Sequence, residues 1–297
     1  MSKLKYLFFF VFIITSCTKN YNLTLEELKN KINNEISYID GDVAVAFLDL
    51  ENETNSIFIN VDEKFHAAST MKVPVMIELY KQQSEGIINL KDSILLKNEF
   101  KSIVDGSSYK MDITEDSDDI IYNKIGTKQE LNYLLFNMIT LSSNLATNVL
   151  IEIVDAKKTT KTMRALGADN IEVLRGVEDI KAYKKGLSNS TTANDLLVIM
   201  KALANGKVGA KKDCKAMISV LKQQKWNDMI PKYLPKEVEV AHKTGSITGV
   251  HHDAAIVYLP NGKKYVLVLL SKNLKDFDKG TDQLAKISEN IYNFNTQ

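Results

Sequence analysis

Apolar positions change their spacing along the chain, and each change predicts an element. Leu28, Ile32 and Ile36 fall on one helical stripe behind Thr24-Leu25-Glu26-Glu27, where a Thr and a Glu three residues apart read as a capping box. Val43, Val45 and Phe47 then alternate with the small Ala44 and Ala46. Leu48 and Leu50 extend that run, and Ile57 and Ile59 follow after Glu51-Asn52-Glu53-Thr54-Asn55. Alternation on both sides of a polar turn predicts an antiparallel hairpin. From Ser69 to about Leu203 the pattern is mostly helical, clearest over 130–139, 145–154 and 192–203. Strand character returns at 238–242, at 254–259 and, past an Asn261-Gly262 turn, at 265–271. An amphipathic helix over 278–294 closes the chain. The order predicts an α/β body with one two-lobed domain over 26–297. An antiparallel sheet with terminal helices takes 26–66 and 204–297, a helical lobe takes 67–203, and the cleft falls between them.

Within this pattern Ala67-Ala68-Ser69-Thr70-Met71-Lys72 runs straight into the apolar stretch from Val73 to Tyr80. A helix beginning at Ser69 holds that hydroxyl at its positive end and brings Lys72 to the same face one turn later. A hydroxyl beside an amine is a nucleophile with a built-in base. The same Ser-x-x-Lys spacing occurs at Ser2, Ser16, Ser107 and Ser219, so only the entry into a long apolar helix singles out Ser69. Pro74, just past the first turn, predicts a local kink.

Composition narrows the class without naming a function. A chain of 297 residues with 44% hydrophobic and 25% charged residues can bury a large core, and a net charge of +1 supplies no broad basic surface for nucleic acid. Met1 to Lys5 carries two lysines, Tyr6 to Ile14 is apolar, and Ile14-Thr15-Ser16-Cys17 follows. That run is too short for a permanent span, so 1–16 reads as an export signal. Small residues before Cys17 resemble a bacterial lipoprotein box. Lipidated Cys17 would then begin the mature chain, with 17–25 as a tether and no other membrane contact. Cys214 is left as a small core residue.

Two further stretches carry chemistry. Leu141-Ser142-Ser143-Asn144 lies between two helical patterns and offers a hydroxyl and a carboxamide from a tight turn, or merely a helix cap. Lys243-Thr244-Gly245-Ser246 ends a strand, where glycine lets a ligand approach the backbone and a lysine with two hydroxyls suits a carboxylate. Glu115-Asp116-Ser117-Asp118-Asp119 reads as a solvated helix start rather than a calcium loop, because it lacks the glycine and the distal glutamate.

Ser-x-x-Lys, then Ser-x-Asn, then Lys-Thr-Gly in this order resembles the class A β-lactamase family of penicillin-interacting serine enzymes, over about residues 26–297. The resemblance implies that Ser69 is acylated, that Lys72 or a glutamate is the acylation base, that Ser142 relays a proton to the leaving nitrogen, and that Glu178 is the base activating the water that removes the acyl group. It implies that Asn144 holds the substrate's side-chain amide and that Lys243, Thr244 and Ser246 bind its carboxylate. The backbone around Gly245 would lie along the substrate, and the N–H groups of Ser69 and Ser246 would form the oxyanion hole. Tyr109 is a candidate aromatic wall at the cleft mouth.

Two stretches depart from the family pattern. Arg175-Gly176-Val177-Glu178-Asp179-Ile180-Lys181-Ala182 has one extra residue before the glutamate, Ala182 stands where the family's water-positioning asparagine would be, and Asn189 replaces the arginine's aspartate partner. His251-His252-Asp253 stands where many members carry an arginine, leaving His252 as the substitute donor to the carboxylate. Adjacent strand histidines face opposite sides, so a shared metal is not expected. The resemblance thus implies a monomeric, lipid-anchored serine β-lactamase at the periplasm or cell surface, acting on a small-molecule β-lactam without a cofactor. The altered Glu178 loop keeps open a D,D-peptidase or transpeptidase-like alternative with slow deacylation. A non-catalytic peptidoglycan-binding lipoprotein is a third reading, disfavoured by the complete Ser69, Lys72, Ser142, Asn144 and Lys243 set.

Overall fold

A computed structural model describes residues 22–297, so the leader and Cys17 lie outside the described residues. The first helix, α1 (Leu25–Ser37), starts as its capping box requires: Thr24 accepts from the Glu27 backbone N–H while the Glu27 carboxylate accepts from the Thr24 N–H. Such a cap is worth about 1 kcal/mol. Five antiparallel strands follow the predicted hairpin and returning segments: β1 (Asp42–Asp49), β2 (Ser56–Ile59), β3 (Glu239–Ile247), β4 (Val250–Tyr258) and β5 (Lys264–Lys272). They lie in the order β2-β1-β5-β4-β3, so β3, the strand carrying Lys243, is an edge.

Alternation in β1 separates two buried faces rather than a buried and a wet one. Val43, Val45 and Phe47 join Leu267, Leu269 and Ala255 in a core covered by Leu28 and Ile32 of α1 and by Leu284, Ile287 and Ile291 of the closing helix, Phe277–Thr296. Ala44 and Ala46 turn with Ala254, Val266 and Val268 toward the other core. There α2 (Lys72–Ser84) and the helices Leu131–Thr140 (α3), Asn144–Val154 (α4), Ala156–Ala165 (α5) and Ala193–Ala204 pack together. Small side chains on that face let the helices approach the sheet closely. Each large apolar side chain buried this way contributes roughly 1.5–3 kcal/mol.

The start of α2 differs from the sequence expectation. Ser69 lies in a single 3-10 turn, Ala68–Met71, and the α-helix proper begins at Lys72. Pro74 is therefore the third helical residue, where the missing N–H removes no intrahelical bond. Nearly every side chain from Lys72 to Tyr80 is buried, which makes α2 the central helix rather than an amphipathic surface one. Among the described residues no helix is long and apolar enough to cross a membrane.

Candidate active site

The segment before Ser69 is fixed from two sides. Phe65–His66 pairs antiparallel with Ser190–Thr191, and the Ala67 N–H donates to Asn189 O at 2.9 Å. Ala68 then takes φ +44°, a left-handed conformation that costs an L-residue roughly 1–2 kcal/mol. The turn leaves Ser69 partly exposed between the buried Ala68 and Thr70. From across the cleft, β3 presses its glycine against this turn: a Cβ on Gly245 would stand 2.9 Å from Ser69 N. The Ser-x-x-Lys and Lys-Thr-Gly stretches are therefore in backbone contact. The expected carboxylate-binding hydroxyls beside it divide, with Thr244 buried and Ser246 exposed.

Lys72 reaches the third motif. Its Nζ lies 2.6 Å from Ser142 O, 3.2 Å from Ser142 Oγ and 3.0 Å from Asn144 Oδ1. Ser142 has φ +64°, and its hydroxyl also receives Lys243 Nζ at 3.0 Å. One hydroxyl thus sits between two fully buried lysines. Burial lowers the Lys72 pKa to about 7, against the opposing pull of Asp116 and Glu178. Burial, reinforced by the Lys72 charge, also lowers Lys243 well below the usual lysine range.

Glu178 joins the group through Asn144, whose Nδ2 donates to Glu178 Oε1 at 3.1 Å while the Asp112 N–H donates to Oε2 at 3.1 Å. Partial burial raises the pKa of this carboxyl. Its backbone is left-handed, φ +60°, so the extra residue ahead of it is absorbed by a tight bend. Asn148 of α4 holds that bend, accepting from the Val177 N–H at 2.6 Å and donating to Val177 O at 3.0 Å. The lost aspartate partner is replaced by a different closure. Asn189 accepts from the N–H groups of Leu174 and Arg175 and donates to Arg175 O, while the Arg175 guanidinium donates to Leu187 O and Gly176 O.

Two candidates lie elsewhere than expected. His252 is fully buried, with Nε2 donating to His66 O at 2.8 Å and Nδ1 accepting from the Ser271 N–H at 3.2 Å. Both ring nitrogens are occupied by backbone, and burial lowers the pKa to about 4, so a neutral His252 has no free donor for a carboxylate. Tyr109 is not an open wall. Its ring packs on Phe100 at 5.9 Å, and its hydroxyl receives Asn148 Nδ2 and donates to Val177 O, which makes it a clamp on the Glu178 loop. His251 turns to the opposite sheet face against Thr281 and Phe277, and among the described residues no group of three or more metal-ligating side chains occurs.

Sequence reasoning missed Asn148, whose helical position carries no signal, and Trp226. The latter is the chain's single tryptophan, is half exposed, and donates from its indole to Leu141 O, one residue before Ser142.

Residues 27–295 match the β-lactamase enzyme family. The chain belongs to that family. Among curated members it is similar to β-lactamase VEB-1 of Pseudomonas aeruginosa, 23% identical over 95% of this chain and 94% of the relative. A β-lactamase of Bacillus licheniformis is 26% identical over 82% of this chain and 76% of the relative. The fold is shared with TLA-1 extended-spectrum β-lactamase (TM-score 0.78, 19% identity, 92% of this chain and 99% of that one). It is also shared with PBP-A (TM-score 0.75, 24% identity, 89% and 94%). Within this family fold, the strand edge lies against the Ser69 turn, and the buried lysines of that strand and of α2 meet at the Ser142 hydroxyl.

Proposed function

We propose that the protein hydrolyses the lactam amide of β-lactam antibiotics through an acyl-enzyme on Ser69. The observation carrying this reading is the pair of buried lysines that share the Ser142 hydroxyl beside a turn that leaves Ser69 accessible. A neutral Lys72 has two N–H bonds for Ser142 O and Asn144 Oδ1, which leaves its lone pair to accept a proton. A pKa of about 7 keeps much of it neutral at physiological pH.

Ser69 Oγ attacks the lactam carbonyl, and its proton passes to Lys72 or, through water, to Glu178. The oxyanion takes the N–H groups of Ser69 and Ser246, each such donor being worth roughly 3–4 kcal/mol. The C–N bond breaks as the Ser142 hydroxyl gives its proton to the nitrogen and takes one back from Lys72, 3.2 Å away. Lys243, Thr244 and Ser246 hold the carboxylate, and Asn144 the side-chain amide. Water activated by Glu178 then cleaves the ester and restores Ser69. Serine, amines and carboxylate supply nucleophile, acid and base, so we assign no metal or cofactor.

A second reading follows from the Glu178 loop. The glutamate carries one extra residue before it and is engaged by the Asp112 N–H, which favours slow deacylation, and the fold is shared with PBP-A. The alternative is a D,D-peptidase or transpeptidase-like enzyme that retains the acyl group. Mixing the purified protein with a chromogenic cephalosporin separates the two. Continuous turnover supports hydrolysis, a single stoichiometric burst with a mass increase supports the alternative, and no acylation overturns both. Glu178→Gln should keep the burst and lose the turnover.

We further infer an exported protein tethered by lipid on Cys17, from the charged, apolar and small-residue order of 1–17. Cys17→Ser should release the protein from the membrane fraction.

A further inference from the structure

Asp116 is the centre of the acidic stretch that the sequence presents as a solvated helix start, yet it is only half exposed and is surrounded by donors. Its Oδ1 receives the backbone N–H of Asn144 at 2.9 Å and that of Asp118 at 3.1 Å. Its Oδ2 receives the Leu145 N–H at 2.8 Å and the Tyr122 hydroxyl at 3.1 Å. Four donors converge on the two acceptor oxygens of this side chain. Two of the donors are the first N–H groups of α4, which no intrahelical carbonyl can take. Those same two residues follow directly on the Ser142-Ser143 turn.

We propose that Asp116 is the positioning residue of the acylation site: it locks the first turn of α4 so that the Asn144 carboxamide spans Lys72 and Glu178. This rests on the acyl-enzyme reading above. Asn144 reaches Lys72 with Oδ1 and Glu178 with Nδ2 from one planar group, so a small rotation of that first turn breaks one contact or the other. The Glu115 carbonyl, next to Asp116, also receives Asn144 Nδ2 at 3.3 Å, so residues 115–116 hold both the backbone and the side chain of Asn144. Asp118 completes the support, buried and accepting from Asn137 Nδ2, while Asn137 O holds the Ser143 N–H. The charge has a second effect. Around Lys72 the facing groups are Ser142, Asn144, Glu178, Asp116 and, beyond the shared hydroxyl, Lys243. Of these, Asp116 and Glu178 favour the charged amine.

Asp116→Asn and Asp116→Ala are compared with wild type after acylation of the wild type has been demonstrated by mass. If the wild type is not acylated, the acyl-enzyme reading fails before Asp116 is tested. Asp116→Ala should lower the second-order acylation constant by about 10- to 100-fold, because the turn carrying Ser142 and Asn144 shifts. Asp116→Asn keeps the shape, loses one acceptor and the charge, and should recover part of the rate. Its ascending limb of acylation against pH should lie at lower pH than in wild type, because removing a negative charge lowers the Lys72 pKa. A purely structural cap would lower Tm in both variants and leave the acylation rate on the pH plateau at the wild-type value. An Asp116→Asn protein that folds by circular dichroism and shows the wild-type rate and limb overturns the proposal. Should Asp116→Ala fail to fold, the isosteric variant alone decides it.

Discussion

The Cβ that Gly245 lacks would lie 2.9 Å from the backbone nitrogen of Ser69 and 3.0 Å from that of Thr70. Both obstacles are backbone, and the turn they belong to is pinned by Ala67 and by the strained Ala68, so neither side can retreat cheaply. Gly245→Ala should therefore push β3 away from the nucleophile and misplace the Ser69 N–H as an oxyanion donor. Acylation should fall by about 10²–10³-fold, the usual cost of one such donor. Overpacking should also remove about 1–3 kcal/mol of stability. Burst amplitude with a chromogenic substrate and a urea midpoint check the two effects; wild-type acylation would show that the strand and the turn are not in working contact.

Acylation should depend on pH through Lys72. A base must be neutral to accept the Ser69 proton, and burial sets the Lys72 pKa at about 7. The single-turnover acylation rate should then be low in acid and climb through an ascending limb centred near 7. If Glu178 is the acylation base instead, the limb reports a carboxyl raised by burial, and Lys72→Met should retain it. Stopped-flow acylation from pH 5 to 9 on wild type and Lys72→Met distinguishes the two, since loss of all acylation in Lys72→Met assigns the limb to the lysine.

Residue type and order single out the Ser69, Lys72, Ser142, Asn144 and Lys243 set, and the structure brings Lys72 and Lys243 onto one hydroxyl of that set, Ser142. Much of the fold was legible for a local reason: the alternation in β1 and the capping box at Thr24 are both written in neighbouring residues, and β4 and β5 read as short apolar runs either side of the Asn261-Gly262 turn. What stayed hidden depends on pairings across long separations. Asp116 meets α4 28 residues later, and His252 reaches the carbonyl of His66, 186 residues away. Nothing local marks Ala68, Ser142 and Glu178 as left-handed, since none is glycine. Tyr109 carried the right chemistry for a cleft wall, but its direction is decided by Asn148 and Val177.

The Glu178 loop depends on a glycine of a different kind. A Cβ at Gly176 would lie 2.3 Å from Asn148 Oδ1 and 2.7 Å from its Cγ. Asn148 would have to rotate and release both the N–H and the carbonyl of Val177, the residue before Glu178. Gly176→Ala should leave acylation near wild type and slow deacylation by about 10- to 100-fold. The acyl-enzyme should then accumulate and be visible by mass during turnover. Equal slowing of both steps would mean that Glu178 or its loop also serves acylation, against the assignment of that step to Lys72.

His252 should govern stability rather than substrate affinity. His252→Ala leaves the His66 carbonyl and the Ser271 N–H without their partner, a loss of about 1–3 kcal/mol. The sign with pH follows from the lowered folded value. Between about 4 in the folded protein and the ordinary 6.5 of the unfolded chain, the unfolded state binds the extra proton, so wild-type stability falls as pH drops through that window. His66 and His251 are lowered too and add their own loss of stability over the same range. The difference between wild type and His252→Ala should therefore shrink from pH 7 to pH 4 in urea titrations, while KM for a β-lactam carboxylate changes little. A large rise in KM with a constant stability difference would put His252 back among the substrate contacts.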